Sequence, residues 1–433
     1  MASLTGLLAV SEPSGLWAII IKSFESGVGS YILAVLLLTI IIRVVWAPVD
    51  LINKKFNKKM TRDQAKLQPQ MEKLEKQYAK DPQMLNRKKQ ELYKKANAGL
   101  GGGCLFMVLF LALNLTIFGT MFTTMNAFSS YKVNQQYEQL KYGYVNVLSA
   151  LDNERTTNLT NFENILDNYE NIVVSIEEDK VVLKNGETTV LESSYRKDFT
   201  SVKDEEKKTY TETEMETLIA TYITDNTEDQ IVFVGDTITA NDVKYSLAMQ
   251  EIAMKYVKEI YKDVQSENSF LWIGNIWVAD SPFNQSVQDY NGYKGIVGVK
   301  NVATNEEVIY NSFMKDIQKT YNRVNGYFIL AILSVLATFL SIWISNGISR
   351  KKNSQPQIQP KQGKLMYIIM PLIMAIFAIM YNSVFAFYLV VGQIISTLLT
   401  PLQNLILDKW EARDLKKEEE KTVVEYSRKN EQK

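Results

Sequence analysis

One arginine constrains this chain more than any other residue. Arg43 lies inside residues 31–48, an apolar run otherwise built from Ile, Leu, Val, Ala, Tyr, Thr and Trp and ending at Pro48. A spanning α-helix needs about 20 mostly apolar residues, so this run is membrane length. A guanidinium stays protonated, and holding it near the bilayer centre costs at least about 2.5–3.5 kcal/mol. The charge therefore has to face water or a partner inside the protein, or else snorkel to the headgroups. Arg43 sits five residues from the end of the run, which leaves snorkelling open on this residue alone.

Further apolar stretches follow. The pattern predicts five spans, at 30–48, 105–128, 327–345, 365–381 and 384–402, in a helical polytopic membrane protein. The last two form a tight hairpin, separated only by Asn382 and Ser383. Ahead of the first span, residues 14–29 are apolar but too short to cross, and they suit an interfacial amphipathic helix with Ser14 as its cap. Hydrophobic residues make up 46% of the chain, yet mean hydropathy is only -0.12, so a large soluble part is joined to the spans.

Net charge is zero, but the charges segregate. Residues 51–100 carry 14 basic and 5 acidic side chains, a net of +9, whereas residues 126–325 carry 19 basic and 32 acidic, a net of -13. The loop 348–364 is again basic. Basic loops stay in the cytoplasm, which predicts an external N-terminus and a cytoplasmic C-terminus. Residues 51–100 read as a helical hairpin with the break at Asp81-Pro82, because both arms are dense in good helix formers. Leu67, Met71, Leu74 and Tyr78 give the first arm an apolar stripe opposite its basic face. Such a face suits ribosomal RNA, an acidic targeting factor or anionic lipid. The tail 403–433 has balanced charge and reads as a solvated extension.

Residues 129–325 read as an external acidic α+β insert. Strands are predicted at 172–176, 180–183 and 188–191, with a hairpin turn at Asn185-Gly186. A helix is predicted at 246–264, a helix and a strand at 212–223 and 231–234, and late strands at 296–302 and 307–310. Its carboxylates are scattered, and no catalytic constellation stands out. Histidine is absent and Cys104 is the only cysteine, which removes the Ser-His-Asp, Cys-His and His-ligated zinc toolkits. No enzyme, metal or cofactor is expected. No convincing signal peptide opens the chain.

Several pieces together resemble the YidC-type membrane protein insertases. They are Ile40-Ile41-Ile42-Arg43-Val44 with Pro48, the basic hairpin with Leu67-Gln68-Pro69-Gln70-Met71 and Leu92-Tyr93-Lys94-Lys95-Ala96-Asn97, and the entry Gly102-Gly103-Cys104. Phe270-Leu271-Trp272-Ile273 with Asp280-Ser281-Pro282 is similar to the family's external segment before the third span. The last hairpin, with Tyr388 and Gln393, is similar to its final two spans. The chain departs from the pattern at Asn97-Ala98-Gly99-Leu100. It departs again at Phe106, Phe110 and Ala112, where the family has two prolines and a glutamine, and in the acidic insert itself.

The resemblance implies an insertase of the bacterial plasma membrane. It would guide nascent transmembrane segments through a hydrophilic groove open to cytoplasm and lipid, with the ribosome, a targeting factor and possible partnership with the general secretion channel. Candidate groove residues are Arg43, Thr39, Asn114, Thr116, Thr120, Ser341, Gln393, Ser396 and Thr397, polar groups within the spans. Each is also of a type that makes ordinary interhelical hydrogen bonds. Met366, Met370 and Met374 stripe the fourth span and suit core or lipid packing, or a pliable surface for substrate helices. The main alternative is a small-anion or solute transporter with Arg43 as its binding site. No internal repeat supports it.

Overall fold

The computed structural model describes residues 10–79, 81–95, 102–195, 240–298, 306–352 and 361–431. They are mostly helical: α1 (Leu16–Val28), α2 (Tyr31–Gln77), α3 (Pro82–Lys95), α4 (Gly102–Thr157), α5 (Leu159–Asp167), then β1 (Ile172–Glu177), β2 (Lys180–Asn185) and β3 (Thr188–Ser194). After these come α6 (Ala240–Asn268), α7 (Tyr290–Val297), α8 (Glu306–Tyr321), α9 (Ile329–Lys352), α10 (Lys361–Met380) and α11 (Ser383–Glu431). Two compact units emerge.

The first unit holds the described parts of Thr124–Ile329 with Ile379–Val384. Its three strands form an antiparallel meander, β1-β2-β3, with Ile172 opposite Asn185 and Lys180 opposite Ser194. A bulge falls between Leu183 and Lys184. Val181 and Leu183 turn inward onto a core shared with Tyr144, Leu148 and Leu151 of α4, Ile252 and Val257 of α6, and Tyr310 and Phe313 of α8. Lys255 of α6 ties helix to sheet, donating to the carbonyls of Tyr169 at 2.5 Å, Glu170 at 2.7 Å and Ile172 at 3.3 Å.

The expected late strand at 307–310 is helical instead, as is the described start of the one at 296–302, whose residues 299–302 lie outside the described residues. Ile296 and Val297 end α7, and 307–310 open α8. Short runs of β-branched and aromatic residues do not distinguish strand from helix. Here the helical spacing of buried Tyr310, Phe313 and Ile317 prevails, because it places all three on the core. Gly298 closes α7 in the left-handed region, its N–H bonded to the Lys294 carbonyl. The predicted elements at 212–223 and 231–234 lie outside the described residues.

The segment between α6 and α7 is irregular and is held by side chains. Asn325, fully buried, donates to the carbonyls of Asn275, Val278 and Ala279 at 3.0–3.1 Å and accepts from the Asn275 N–H at 2.6 Å. Buried Asp280 accepts from the Tyr327 N–H at 2.7 Å, and a Cβ at Gly326 would lie 1.9 Å from its carboxylate. Only glycine fits there. Ser383 docks on the same segment, its N–H and hydroxyl both donating to the Val278 carbonyl.

The second unit holds Leu16–Thr123, Leu330–Ala378 and Phe385–Lys433 in its described parts. Among the described residues three helices are long and apolar enough to cross a membrane, at Tyr31–Lys59, Val108–Thr157 and Ser383–Lys417. Shorter apolar helices lie at Ile329–Ile344 and Pro371–Met380. Their outward surfaces carry large apolar side chains such as Leu109, Leu115, Leu336, Trp343, Leu372 and Leu398, each about half exposed or more. Water penalises such a surface, whereas lipid accepts it.

Pro48 does not end its helix. α2 runs unbroken through Pro48 and Pro69, and α11 runs through Pro401 to Glu431. A proline inside a helix removes one hydrogen bond but is tolerated in membrane helices, where neighbouring groups meet the freed carbonyl. The apolar and basic parts of α2 are thus one rod.

Candidate functional site

The site is built from α2 and α11 within the second unit. At about 100° per residue, Thr39, Arg43, Asp50 and Lys54 fall on one narrow face of α2, a polar stripe along an apolar rod. The same spacing puts Tyr388, Gly392, Ser396 and Gln403 on one line of α11.

The two lines meet at Arg43 and Gly392. A Cβ added to Gly392 would lie 2.9 Å from both Nε and Nη2 of Arg43 and 3.3 Å from Cζ. The guanidinium therefore rests on the bare backbone of α11, at a position where any side chain would collide with it. Tyr388, one turn earlier and buried, feels the charge of Arg43. So does Asp50, about 10 Å along the axis of α2, which also feels Lys54.

Arg43 is half-buried, yet it makes no ion pair or hydrogen bond with the described residues. None of its nitrogens is fully enclosed by protein. A buried donor without a partner is costly, so these donors require water or a visiting acceptor. Three residues along, Trp46 Nε1 is sealed and unpartnered, as is Asn53 Oδ1.

The polar stripe is clamped where α2 leaves its apolar run. Gln403 Oε1 accepts from Lys54 Nζ at 2.5 Å, and its Nε2 donates to the Ala47 carbonyl at 3.1 Å. Lys54 also reaches Thr400 Oγ1 at 3.4 Å. Lys58 follows, 3.2 Å from Asp408.

The other candidate residues divide by surroundings. Thr39, one turn before Arg43, is fully enclosed and donates to the Val35 carbonyl. Thr397 is buried and donates to the Gln393 carbonyl; Ser396 lies on the Gly392 line, with Gln393 about 100° away from it. On α4, Asn114 donates to the Phe110 carbonyl and Thr116 to the Ala112 carbonyl. Thr120 accepts from Trp17 Nε1 at 2.9 Å, which anchors α1. Ser341 is half-buried on α9. The structure thus brings Arg43, Thr39 and Ser396 onto facing lines and leaves the α4 hydroxyls engaged with their own helix or with Trp17. Met374 is half-buried; the side chains of Met366 and Met370 lie outside the described residues.

Sequence reasoning missed Gly392, Asp50, Lys54, Thr400 and Gln403 as site residues. A lone glycine in the middle of an apolar span, and an amide at its end, were the available signals.

Known proteins agree with the resemblance read from the sequence. Residues 23–176 match the family model described as the 60Kd inner membrane protein. The chain is similar to the membrane protein insertase YidC of Fusobacterium nucleatum, 34% identical over 104 residues, which are 24% of this chain and 49% of that protein. It is 38% identical over 103 residues to the YidC of Caldanaerobacter subterraneus, 24% of this chain and 48% of that one. A third YidC, from Geobacter sulfurreducens, is 35% identical over 89 residues, 21% of this chain and 16% of its own length. The match spans about half the length of the first two relatives and less of the third. No solved structure matches.

Proposed function

We propose, from this kinship with the YidC-type insertases, that the chain guides nascent transmembrane segments into the lipid bilayer from a wet recess around Arg43. One observation carries the reading. A permanent cation sits inside a membrane-length apolar helix, not fully enclosed by protein and without a protein partner among the described residues. A structural arginine would be paired, because an unpaired buried charge is expensive.

The chemistry follows from electrostatics. Moving the polar tail of a nascent helix through lipid strips its water at large cost. A half-buried wet recess shortens the dry path. Arg43 attracts acidic tail residues, by up to about 4 kcal/mol at 4 Å and an effective dielectric of about 20. The membrane potential, positive outside, then draws negative charge outward by about 2.3 kcal/mol per charge per 100 mV. The Arg43 contact is transient, so the tail passes without being trapped.

In this reading the five apolar helices span the plasma membrane with the N-terminus outside. The basic hairpin of α2 and α3 meets the ribosome or a targeting factor in the cytoplasm, and the general secretion channel is a potential neighbour. Of the remaining groove candidates, Asn114, Thr116, Thr120, Ser341, Gln393 and Ser396 line the passage, and the enclosed Thr39 and Thr397 back it. The decisive experiment is crosslinking of a stalled nascent chain to probes placed beside Arg43, at positions 46 and 396. Adducts confined to the ribosome-bound, membrane-engaged chain support insertion. Their absence, with normal protein level, rejects it.

A further inference from the structure

Three ends of apolar helices meet at or beside the irregular segment 268–286 of the first unit. Ser129, just past the second apolar stretch, accepts from Asn382 Nδ2 at 2.9 Å. Ser383, where α11 begins, donates twice to the Val278 carbonyl, and the next N–H, of Val384, donates to the Ile276 carbonyl at 3.2 Å. Tyr327, two residues before α9, donates its N–H to Asp280 at 2.7 Å. Each contact stands where a membrane-type helix begins or ends, so together they mark one boundary between lipid and water.

At that boundary the segment turns apolar side chains outward. Leu271 is 71% exposed, Phe283 84% and Tyr327 59%. Phe270 and Ile273 exchange both backbone hydrogen bonds, at 3.1 and 2.9 Å, which sets Leu271 in a tight turn between them. Trp272 of that turn donates Nε1 to Asp280 Oδ2 at 3.5 Å, while Oδ1 holds Tyr327. One carboxylate thus fixes both the turn and the approach to α9. Phe283 packs edge-on against Phe328, the residue before α9, with ring centroids 5.9 Å apart. Leu271 and Phe328 have φ of 54° and 60°, a region that bulky side chains rarely adopt. Strain of this kind persists where the surrounding structure enforces it, commonly at functional positions.

We propose that Leu271, Phe283 and Tyr327 seat this segment in the headgroup–acyl boundary of the bilayer, a lipid anchor for the first unit additional to its spans. The level selects the occupant, because the helix ends hold these side chains where lipid begins. Leucine and aromatic rings are the side chains that partition into that zone. Residues 269–283 carry a single charged residue, Asp280, and it is fully buried. The irregular backbone is also equipped for poor hydration: Asn325 satisfies the carbonyls of Asn275, Val278 and Ala279, and Ser383 bonds Val278 again. The β meander lies elsewhere. It packs on Tyr144, Leu148 and Leu151, which are 15 to 22 positions past Ser129, about 22–33 Å along α4. The inference rests on the apolar helices crossing the bilayer and is independent of what passes Arg43.

The test measures depth in the full-length protein in liposomes of phosphatidylcholine and phosphatidylglycerol. Cys104→Ser removes the one native thiol, and Leu271→Cys, Phe283→Cys or, in the meander turn, Glu187→Cys then carries a fluorophore. Nitroxides on the lipid headgroup, acyl carbon 5 or acyl carbon 12 report depth, and aqueous iodide reports water. The carbon-5 nitroxide should quench positions 271 and 283 at least about threefold more than position 187, and iodide should quench them less. Phe283→Ser should lower carbon-5 quenching at position 271 about twofold, whereas Phe283→Trp should preserve it. On the unaltered protein, a lipid with a photoreactive group at headgroup level should label peptide 268–286 and spare peptide 180–194. Equal quenching at 271, 283 and 187, strong quenching of 271 and 283 by iodide, or labelling of 180–194 instead would overturn the proposal. So would labelling of 268–286 lost on adding a soluble protein extract, which would make the face a protein-docking surface. No substrate is needed, so failure of the insertion reading leaves this test intact.

Discussion

The guanidinium of Arg43 lies against the backbone of Gly392, with no room between them for a methyl group. This contact links the one charge within the first apolar run to one missing side chain in the last. It explains how the arginine is aimed: α11 presents a flat floor, and the charged head lies along it with its nitrogens not enclosed by protein. Function in this reading depends on that aim as much as on the charge.

Gly392→Ala separates the two. The added Cβ collides with the flexible end of Arg43, so the guanidinium shifts while the helices stay packed. Thermal unfolding in detergent should change little. Insertion of a single-span substrate with an acidic external tail into proteoliposomes should fall several-fold. Joined to Arg43→Ala, Gly392→Ala should add nothing, since the group it displaces is already gone.

Removing the charge is the direct test. Arg43→Ala should impair insertion of substrates with acidic external tails, and Arg43→Glu should impair it further by repelling them. Arg43→Lys should retain part of the activity, keeping charge but losing the planar fork. Full activity of the Ala and Glu variants at normal protein level would remove Arg43 from the mechanism.

Gln403 satisfies groups on α2 from both ends of its amide. Gln403→Leu leaves Lys54 with only the long contact to Thr400 and deprives the Ala47 carbonyl of its second donor. A loss of about 1–3 kcal/mol is expected, read as a lower midpoint in denaturant titration of the detergent-solubilised protein.

In the first unit, Asn325→Asp is nearly isosteric but reverses the polarity where three carbonyls converge. An acceptor facing acceptors should cost at least about 1–3 kcal/mol and open the 268–286 segment to limited proteolysis. Asn325→Ala should cost less, because it removes the donor without adding repulsion.

The meander offers a pH test. Lys184, bonded to Glu177 at 2.6 Å, and then Ser175 at 3.2 Å hold the Glu177 carboxyl below its usual range. A depressed folded value means that the stabilisation is complete above the ordinary glutamate range and disappears as pH falls through the folded value. Carboxyl NMR should find Glu177 titrating below an unpaired glutamate, and Lys184→Met should return it to the ordinary range.

The sequence by itself determined the apolar helices, the basic arms joined at Asp81-Pro82 and the β1–β3 meander, because length, composition and period are local properties. It also exposed Arg43, since a charge in an apolar run is conspicuous without any structure. Tertiary structure alone decided what surrounds that charge. Gly392 has no side chain to announce itself, and 349 positions separate it from Arg43. Gln403 and Asn325 look like ordinary polar residues until folding turns their amides onto distant carbonyls. Pro48 and the residues at 307–310 mislead for the same reason. A local preference of about a kcal/mol yields when burial of a whole helix face, or continuity of a rod, is worth more.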